Sequence, residues 1–252
     1  MSVGECRLGG MDIVARVAVI TGAAVGIGRA IAQAVAAAGA VTVVADVDTA
    51  ELAHTARLIN DAGGRAVDVA TDVTDERDVA ALIDAAARQG DGIRLLVNNA
   101  GGIASPFWPD ADPEQWGAGL DLNLRSAMLV TQCALPELQR HGGVVVNTAS
   151  TAGLGFDKAA SPEYAAAKAG LIRFTTTVRV PGVRVNGIAP DWIRTPRAER
   201  ELAEMTPGER ADAPAWIPMD EVCDQVLRFA TDDSLTNQVV VLRPDEAPSI
   251  LS

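Results

Sequence analysis

The sequence predicts an α/β protein built on a parallel sheet with helices on both faces, and three observations carry that prediction. Short β-branched runs such as Val17-Ala-Val-Ile-Thr21 are apolar throughout, as strands buried on both sides are. Alanine-rich or capped helical stretches separate them, and the alternation of strand and helix persists along the chain, the pattern of repeated βαβ units. No linker or internal repeat interrupts it, so the 252 residues read as one domain.

The elements follow in order. Val17 to Thr21 is the first strand; the glycines 22, 26 and 28 come next, and Arg29 to Ala38 is a helix stopped by Gly39. Val41 to Ala45 is the second strand, ending at Asp46, and Thr49 to Asp61 is a helix with Thr49 as its expected cap. Arg65 to Val69 is the third strand, with Asp72 and Val73 beyond it, and Asp75 to Arg88 the third helix. Ile93 to Val97 is the fourth strand and leads into Asn98-Asn-Ala-Gly101. Asp112-Pro113 starts a helix expected to reach Ala134 with a break near Gly117 and Gly119. Gly143 to Ala149 is the fifth strand, with Ser150 just past its end. A helix opens at Pro162-Glu163 and ends before Pro181-Gly182, and Val183 to Ile188 is the sixth strand. The proline-broken stretch 192–218 is expected to be irregular and to act as a mobile lid over a site. Asp220 to Ala230 is the last helix, Gln238 to Leu242 the last strand, and the tail from Pro244 a loop.

Composition bounds the function. Apolar residues make up 48% of the chain, enough for a large core, and the net charge of -12 with no Lys/Arg cluster argues against nucleic acid as a partner. Cys6, Cys133 and Cys223 are too scattered for a disulfide framework or a zinc site, so no metal is expected; His54 and His141 read as isolated surface residues. Residues 1–10 contain no long apolar run and are expected to form a mobile arm ahead of the single domain, 11–252. No run is long enough to span a bilayer, and a cytoplasmic protein is expected.

The turn Gly22-x-x-x-Gly26-x-Gly28 lies between a strand and a helix, where glycines let the backbone approach a pyrophosphate resting on the helix N-terminus. Asp46 ends the second strand, 18 residues past Gly28, where an acid can bind the adenosine ribose hydroxyls. A carboxylate there repels a 2′-phosphate, and no basic residue stands in 23–27 or beside Asp46. NAD is therefore the expected coenzyme and NADP the less favoured one. Further on, Tyr164 and Lys168 stand four apart and share a helix face. A phenol titrates near pH ~10, and a fixed ammonium beside it lowers that value, which makes the pair a tuned acid/base.

Taken together, these stretches resemble the short-chain dehydrogenases/reductases over roughly residues 12–242. The resemblance is carried by Thr21-Gly-Ala-Ala-Val-Gly-Ile-Gly28, Asp72-Val73, Asn98-Asn-Ala-Gly101, Asn123, Asn147-Thr-Ala-Ser150, Tyr164-x-x-x-Lys168 and Arg184-Val-Asn186 running to Pro190. It implies a Rossmann-like doubly wound sheet of seven parallel strands, in the order 3-2-1-4-5-6-7. It also implies hydride transfer between a nicotinamide and a carbonyl or secondary alcohol. Tyr164 would give or take the proton, Ser150 would hydrogen-bond the substrate oxygen, Lys168 would bind the nicotinamide ribose, and Asn123 would hold a water in a proton relay. Thr21, Gly22, Val25, Gly26, Ile27, Gly28, Asp46, Asp72, Val73, Asn99, Ala100, Gly101, Pro190, Ile193 and Thr195 would line the coenzyme. A homodimer or homotetramer is implied, with one interface on the helices at 113–134 and 163–180.

The chain departs from the family in places. Pro190-Asp191 stands where Pro-Gly is usual, which puts an acid beside the nicotinamide; the stretch from Lys168 to Asn186 is short; and Arg243-Pro244-Asp245 replaces the usual ending. Phe107, Trp108, Phe156, Trp192, Met205 and Trp216 cluster in loops beyond strand ends and, with Asp191, form the expected wall of an apolar substrate pocket. The competing readings are a non-catalytic NAD-binding sensor or scaffold and a sugar-nucleotide epimerase or dehydratase. The former often lacks the Tyr or Lys present here, and the latter usually has a longer substrate domain.

Overall fold

A computed structural model of the protein describes residues 13–155, 161–206, 208 and 215–251. Seven strands lie parallel: β1 (Val17–Thr21), β2 (Val41–Asp46), β3 (Arg65–Ala70), β4 (Ile93–Asn98), β5 (Val144–Thr148), β6 (Arg184–Pro190) and β7 (Val239–Leu242). Their order in the sheet is 3-2-1-4-5-6-7. Every residue of β1 and β5 is buried, and their first residues, Val17 to Ile20 and Val144 to Val146, are apolar on both faces.

Alternate residues of each strand face opposite layers. Ala18 and Ile20 pack with α1 (Gly26–Ala37), α2 (Thr49–Asp61) and the last helix, whose Phe229 is fully buried. Val17 and Val19 pack on the other face with Val79 and Leu82 of α3 (Glu76–Ala87) and Val130 and Leu138 of α5 (Ser126–His141). Burying each such side chain stabilises the fold by roughly 1.5–3 kcal/mol before the entropy of ordering it is counted.

The structure corrects several expectations. The tail is not all loop: β8 (Ser249–Leu251) pairs antiparallel with β7, so the sheet has eight strands. A turn at 243–246, with Asp245 at φ 58°, reverses the chain. Asp48, not Thr49, caps α2 by accepting from the Glu51 amide. The helix begun at Asp112 does not break at its glycines. It runs as α4 (Pro113–Leu120), a wide π-turn (Asp121–Arg125) and α5.

Within the stretch expected to be irregular, Thr195 caps a helix, α7 (Pro196–Glu204), with Pro196 in its first turn. The helix carrying Tyr164 is α6 (Pro162–Thr177), and the last helix is α8 (Met219–Thr231). His54 and His141 are half-buried rather than fully exposed. On the faces expected to meet a second copy, Ala127, Val130, Ala167, Leu171 and Thr175 are buried within the chain itself, while Met128 is 43% exposed. Residues 1–10 and Phe156 lie outside the described residues. No helix of the described residues is long and apolar enough to cross a membrane.

Candidate active site

The strand order reverses between β1 and β4, and the crevice beyond their C-terminal ends is where open α/β sheets bind ligands. Thr21 and Asn99 knit that point together. The Thr21 hydroxyl accepts from the amides of Asn99 and Ala100, and the Asn99 side chain donates to the carbonyls of Thr21 and Gly22 at 3.0 Å. The approach is so close that a Cβ at Gly22 would stand 2.8 Å from the Ala100 Cα, and one at Gly28 would fall on the Gly22 carbonyl. Gly22 and Gly26 also take positive φ, 64° and 58°.

The helix that leaves this turn is left open at its start. α2, α3 and α4 are capped by Asp48, Asp75 and Asp112, each with an acid in its first turn. α1 has Val25, 48% exposed, at its cap position, no side-chain cap and no acid in its first turn. A helix start without a side-chain cap at a glycine turn, with the positive end of the helix dipole behind it, fits a pyrophosphate.

Asp46 emerges from β2 against the same turn. Its carboxylate accepts from the Ala24 amide at 3.0 Å and from the Asp48 amide at 3.1 Å, which fixes both oxygens. Val47 next to it is 68% exposed. Beyond β3, Asp72 accepts from the Thr74 amide and hydroxyl, and Val73 is buried against the α3 layer. Thr195 lies across the crevice, its methyl 3.5 Å from where a Gly26 Cβ would be, so the start of the 192–218 excursion meets the glycine turn. Ile27 packs partly buried on the core beneath it, and Ile193 is buried.

The second cluster forms where β5 meets α6. Ser161 caps α6 by accepting from the Tyr164 amide, and Pro162 fills the first helical position, which places Tyr164 in the first turn. Lys168, one turn on, is buried; its Nζ donates to the Thr148 carbonyl at 2.8 Å and stands 5.5 Å from the centre of the Tyr164 ring. Burial pulls the Lys168 ammonium down from 10.5 to about 8, since an apolar site disfavours its charge.

Ser150 caps a short 3₁₀ turn (Thr151–Gly153), where its oxygen accepts from the Ala152 amide. That leaves the hydroxyl proton able to donate. A Cβ at Gly153 would stand 2.6 Å from the Lys168 carbonyl carbon, so glycine is what lets the Ser150 turn close onto α6. Asn123 sits in the π-turn with both side-chain amide protons used, accepting from the Gly102 amide at 2.9 Å and donating to the carbonyls of Gly102 and Gly119. A Cβ at Gly101 would meet both Asn123 Oδ1 at 2.8 Å and Lys168 Nζ at 3.2 Å, which shows how closely these groups converge. Asn123 is thus the pin between α4 and the segment after β4, and its side chain has no amide proton left for a water.

Of the expected substrate wall, the structure brings together Trp192 and Trp216, stacked at 5.2 Å between ring centres and 14° between planes. Ile193 and Ile217 form a bridge beside them, and the Ile217 amide donates to the Trp192 carbonyl. Asp191 turns its carboxylate to the Trp192 amide at 2.8 Å. Pro190 closes β6 opposite Leu242. Phe107 and the 61% exposed Trp108 sit on a separate turn after β4, and Met205 follows α7.

Two groupings escaped sequence reasoning. Asn98, Asn147 and Thr175 make a buried bridge from β4 through β5 to α6, with links of 2.9 Å, and Asn98 also reaches Thr131 of α5. Behind the glycine turn, Arg29 joins Ala24 to Glu51 and Thr55 of α2. The arginine directly after Gly28 was the available signal for the second.

Comparison with known proteins agrees with this geometry. The family model described as short chain dehydrogenase matches residues 16–206. The cis-4-hydroxycyclohexanecarboxylate dehydrogenase of Sinomonas cyclohexanicum is 43% identical over 231 residues, covering 86% of this chain and 90% of that protein. The structure of a 3-oxoacyl-[acyl-carrier protein] reductase with bound NAD from Brucella melitensis superposes with a TM-score of 0.78 at 32% identity, over 92% of this chain and 90% of that one. An actinorhodin polyketide ketoreductase variant with NADPH gives a TM-score of 0.83 at 26% identity, over 91% and 96%. With its glycine turn, its Tyr164–Lys168 helix and a family match over most of its length, the chain belongs to the short-chain dehydrogenases/reductases, oxidoreductases of alcohols and carbonyls.

Proposed function

We propose that the protein is an NAD-dependent dehydrogenase/reductase acting on a secondary alcohol or ketone, with Tyr164 as its acid/base. The observation that carries this reading is the buried Lys168 ammonium 5.5 Å from the Tyr164 ring, a fixed cation that favours phenolate. Asp46, Thr195 and the open start of α1 would hold the coenzyme. The nicotinamide, when bound, accepts or supplies the hydride at the carbinol carbon. In oxidation the Tyr164 phenolate takes the hydroxyl proton as the carbonyl forms; in reduction the phenol returns it to the oxygen. The Ser150 hydroxyl donates to the same oxygen and steadies its charge. Asp46 supports NAD, because a carboxylate held at the end of β2 beside apolar Val47 opposes a 2′-phosphate. The stacked Trp192–Trp216 pair, together with a 43% identical relative named for a hydroxyl on a cyclohexane ring, supports a ring-bearing substrate.

Steady-state kinetics with NAD and a panel of cyclic secondary alcohols tests this. The Tyr164→Phe variant is expected to lose ~100-fold or more in kcat while its NADH affinity stays within about twofold. A variant retaining a tenth of the rate would remove Tyr164 from the acid/base role.

A further inference from the structure

We propose that Glu51 is a second determinant of coenzyme choice. It holds Arg29, a cation built into the glycine turn, away from a 2′-phosphate. The proposal rests on the reading that Asp46 faces the adenosine ribose and adds a residue to it.

The residue Ala24 carries the argument. Its amide donates to Asp46, and its carbonyl accepts from the Arg29 guanidinium. A carboxylate and a cation are therefore held at the two ends of one residue of the turn. Arg29 does not point its charge toward Asp46. Its Nη2 donates to Glu51 Oε2 at 2.6 Å, and its Nε donates to the Thr55 hydroxyl at 2.8 Å. Thr55 is fully buried and itself lies 3.0 and 3.1 Å from the carbonyls of Ala23 and Ala24, so the back of the turn is fastened to α2. The Arg29 side chain is 21% exposed and that of Glu51 46%, so the pair opens to solvent on the Glu51 side.

Counted together, Asp46, Glu51 and Arg29 leave one net negative charge around the turn. Neutralising Glu51 brings that sum to zero and removes the carboxylate that draws the Arg29 guanidinium toward α2, while Nη2 keeps its bond to the Ala24 carbonyl; the planar donors of a guanidinium suit a phosphate. Asp46 acts on the ribose directly. Glu51 acts by occupying the cation that would otherwise offset Asp46.

Dissociation constants of NADH and NADPH for the intact protein, by fluorescence titration at fixed ionic strength, test the proposal. Glu51→Gln is expected to tighten NADPH binding about fivefold while NADH changes by less than about twofold. Adding Arg29→Met in that background should return the NADPH/NADH ratio to the wild-type value, and raising the salt concentration should shrink the gain. An unchanged ratio in Glu51→Gln, with both coenzymes weakened equally and a lowered melting temperature, would overturn the proposal, because the pair would then only fasten the turn to α2. A gain that survives Arg29→Met would overturn it as well. If the wild type binds NADPH as tightly as NADH, the preference attributed to Asp46 fails. The effect of Glu51 on the ratio is still read from the same variants.

Discussion

The glycine turn after β1 and the excursion after β6 meet where Thr195 lies over Gly26, and the chain fastens them with different contacts. The turn is held along its length. Asn99, Asp46, Arg29 and Thr55 each bond to its backbone, Thr21 just before it accepts from the amides of Asn99 and Ala100, and neighbouring backbone comes within 3 Å of where a Gly22 Cβ would stand. The ends of the excursion are joined to each other by the Ile193–Ile217 bridge and the Trp192–Trp216 stack. A pyrophosphate is the same in every substrate cycle and suits a rigid cradle.

The sharpest way to break this comparison is to add one methyl to the rigid side. Gly28 does not take a positive φ, so an alanine there is permitted by its own backbone. The obstacle is the Gly22 carbonyl oxygen, 2.1 Å from the new Cβ, and the Asn99 side-chain nitrogen, 2.6 Å from it. Both are fixed and cannot swing away. Gly28→Ala is expected to cost about 3 kcal/mol, at the upper end of overpacking effects. For a domain of this size that corresponds to a melting loss on the order of 10 °C, with weakened NADH binding. A variant that melts within about 2 °C of wild type would show that the turn is more deformable than its contacts imply.

The same contrast explains what was legible in the sequence. Elements whose residues answer to a local rule were read correctly: apolar strands, the proline-started α4 and α6, and the Tyr164–Lys168 pair one helical turn apart. The β8 hairpin was missed because its strand is short and its turn relies on a non-glycine positive φ at Asp245. α7 was missed because four prolines in 192–218 outweighed the Thr195-Pro196 start signal, although a proline in the first turn favours a helix. The Asn98–Asn147–Thr175 bridge joins residues far apart in the chain, and no spacing rule reports it. The stacking within the expected aromatic wall was not legible for a related reason. Among the described residues Trp192 and Trp216 are stacked on each other, a pairing that grouping loop aromatics by type does not specify.

Lys168 belongs to the rigid side, and its burial gives a pH test of that rigidity. Its folded-state value is depressed from 10.5 to about 8. Between those values the unfolded chain holds a proton that the folded chain does not, so stability rises with pH across that window. Below pH 8 the folded protein carries the full cost of the buried charge. Lys168→Met removes this titration and keeps an unbranched side chain. The stability of the variant relative to wild type is expected to be greatest near pH 7 and to fall by on the order of 2 kcal/mol toward pH 10.5. Denaturant unfolding without coenzyme at several pH values measures it. A constant difference would mean that water or a shift of α6 relieves the burial.

The smallest expected effect falls on the excursion, and it bears most directly on substrate. Trp216→Ala removes one ring of the stack but leaves the Ile193–Ile217 bridge, whose bond uses the backbone of Ile217 and Trp192. A stacked pair contributes ~0.5–1.5 kcal/mol beyond its buried area. Much of that should appear as a looser base for the segment rather than as global unfolding. With a ring-bearing alcohol as substrate, KM is expected to rise about fivefold and kcat to change by less than about twofold. NADH affinity should hold, since the coenzyme contacts proposed for the glycine turn do not involve Trp216. Trp216→Phe should restore most of the loss if a flat ring on Trp192 is what matters. If instead NADH affinity falls as far as KM rises, the excursion and the turn are one cooperative unit, and Thr195, which lies over Gly26, is where they would be coupled.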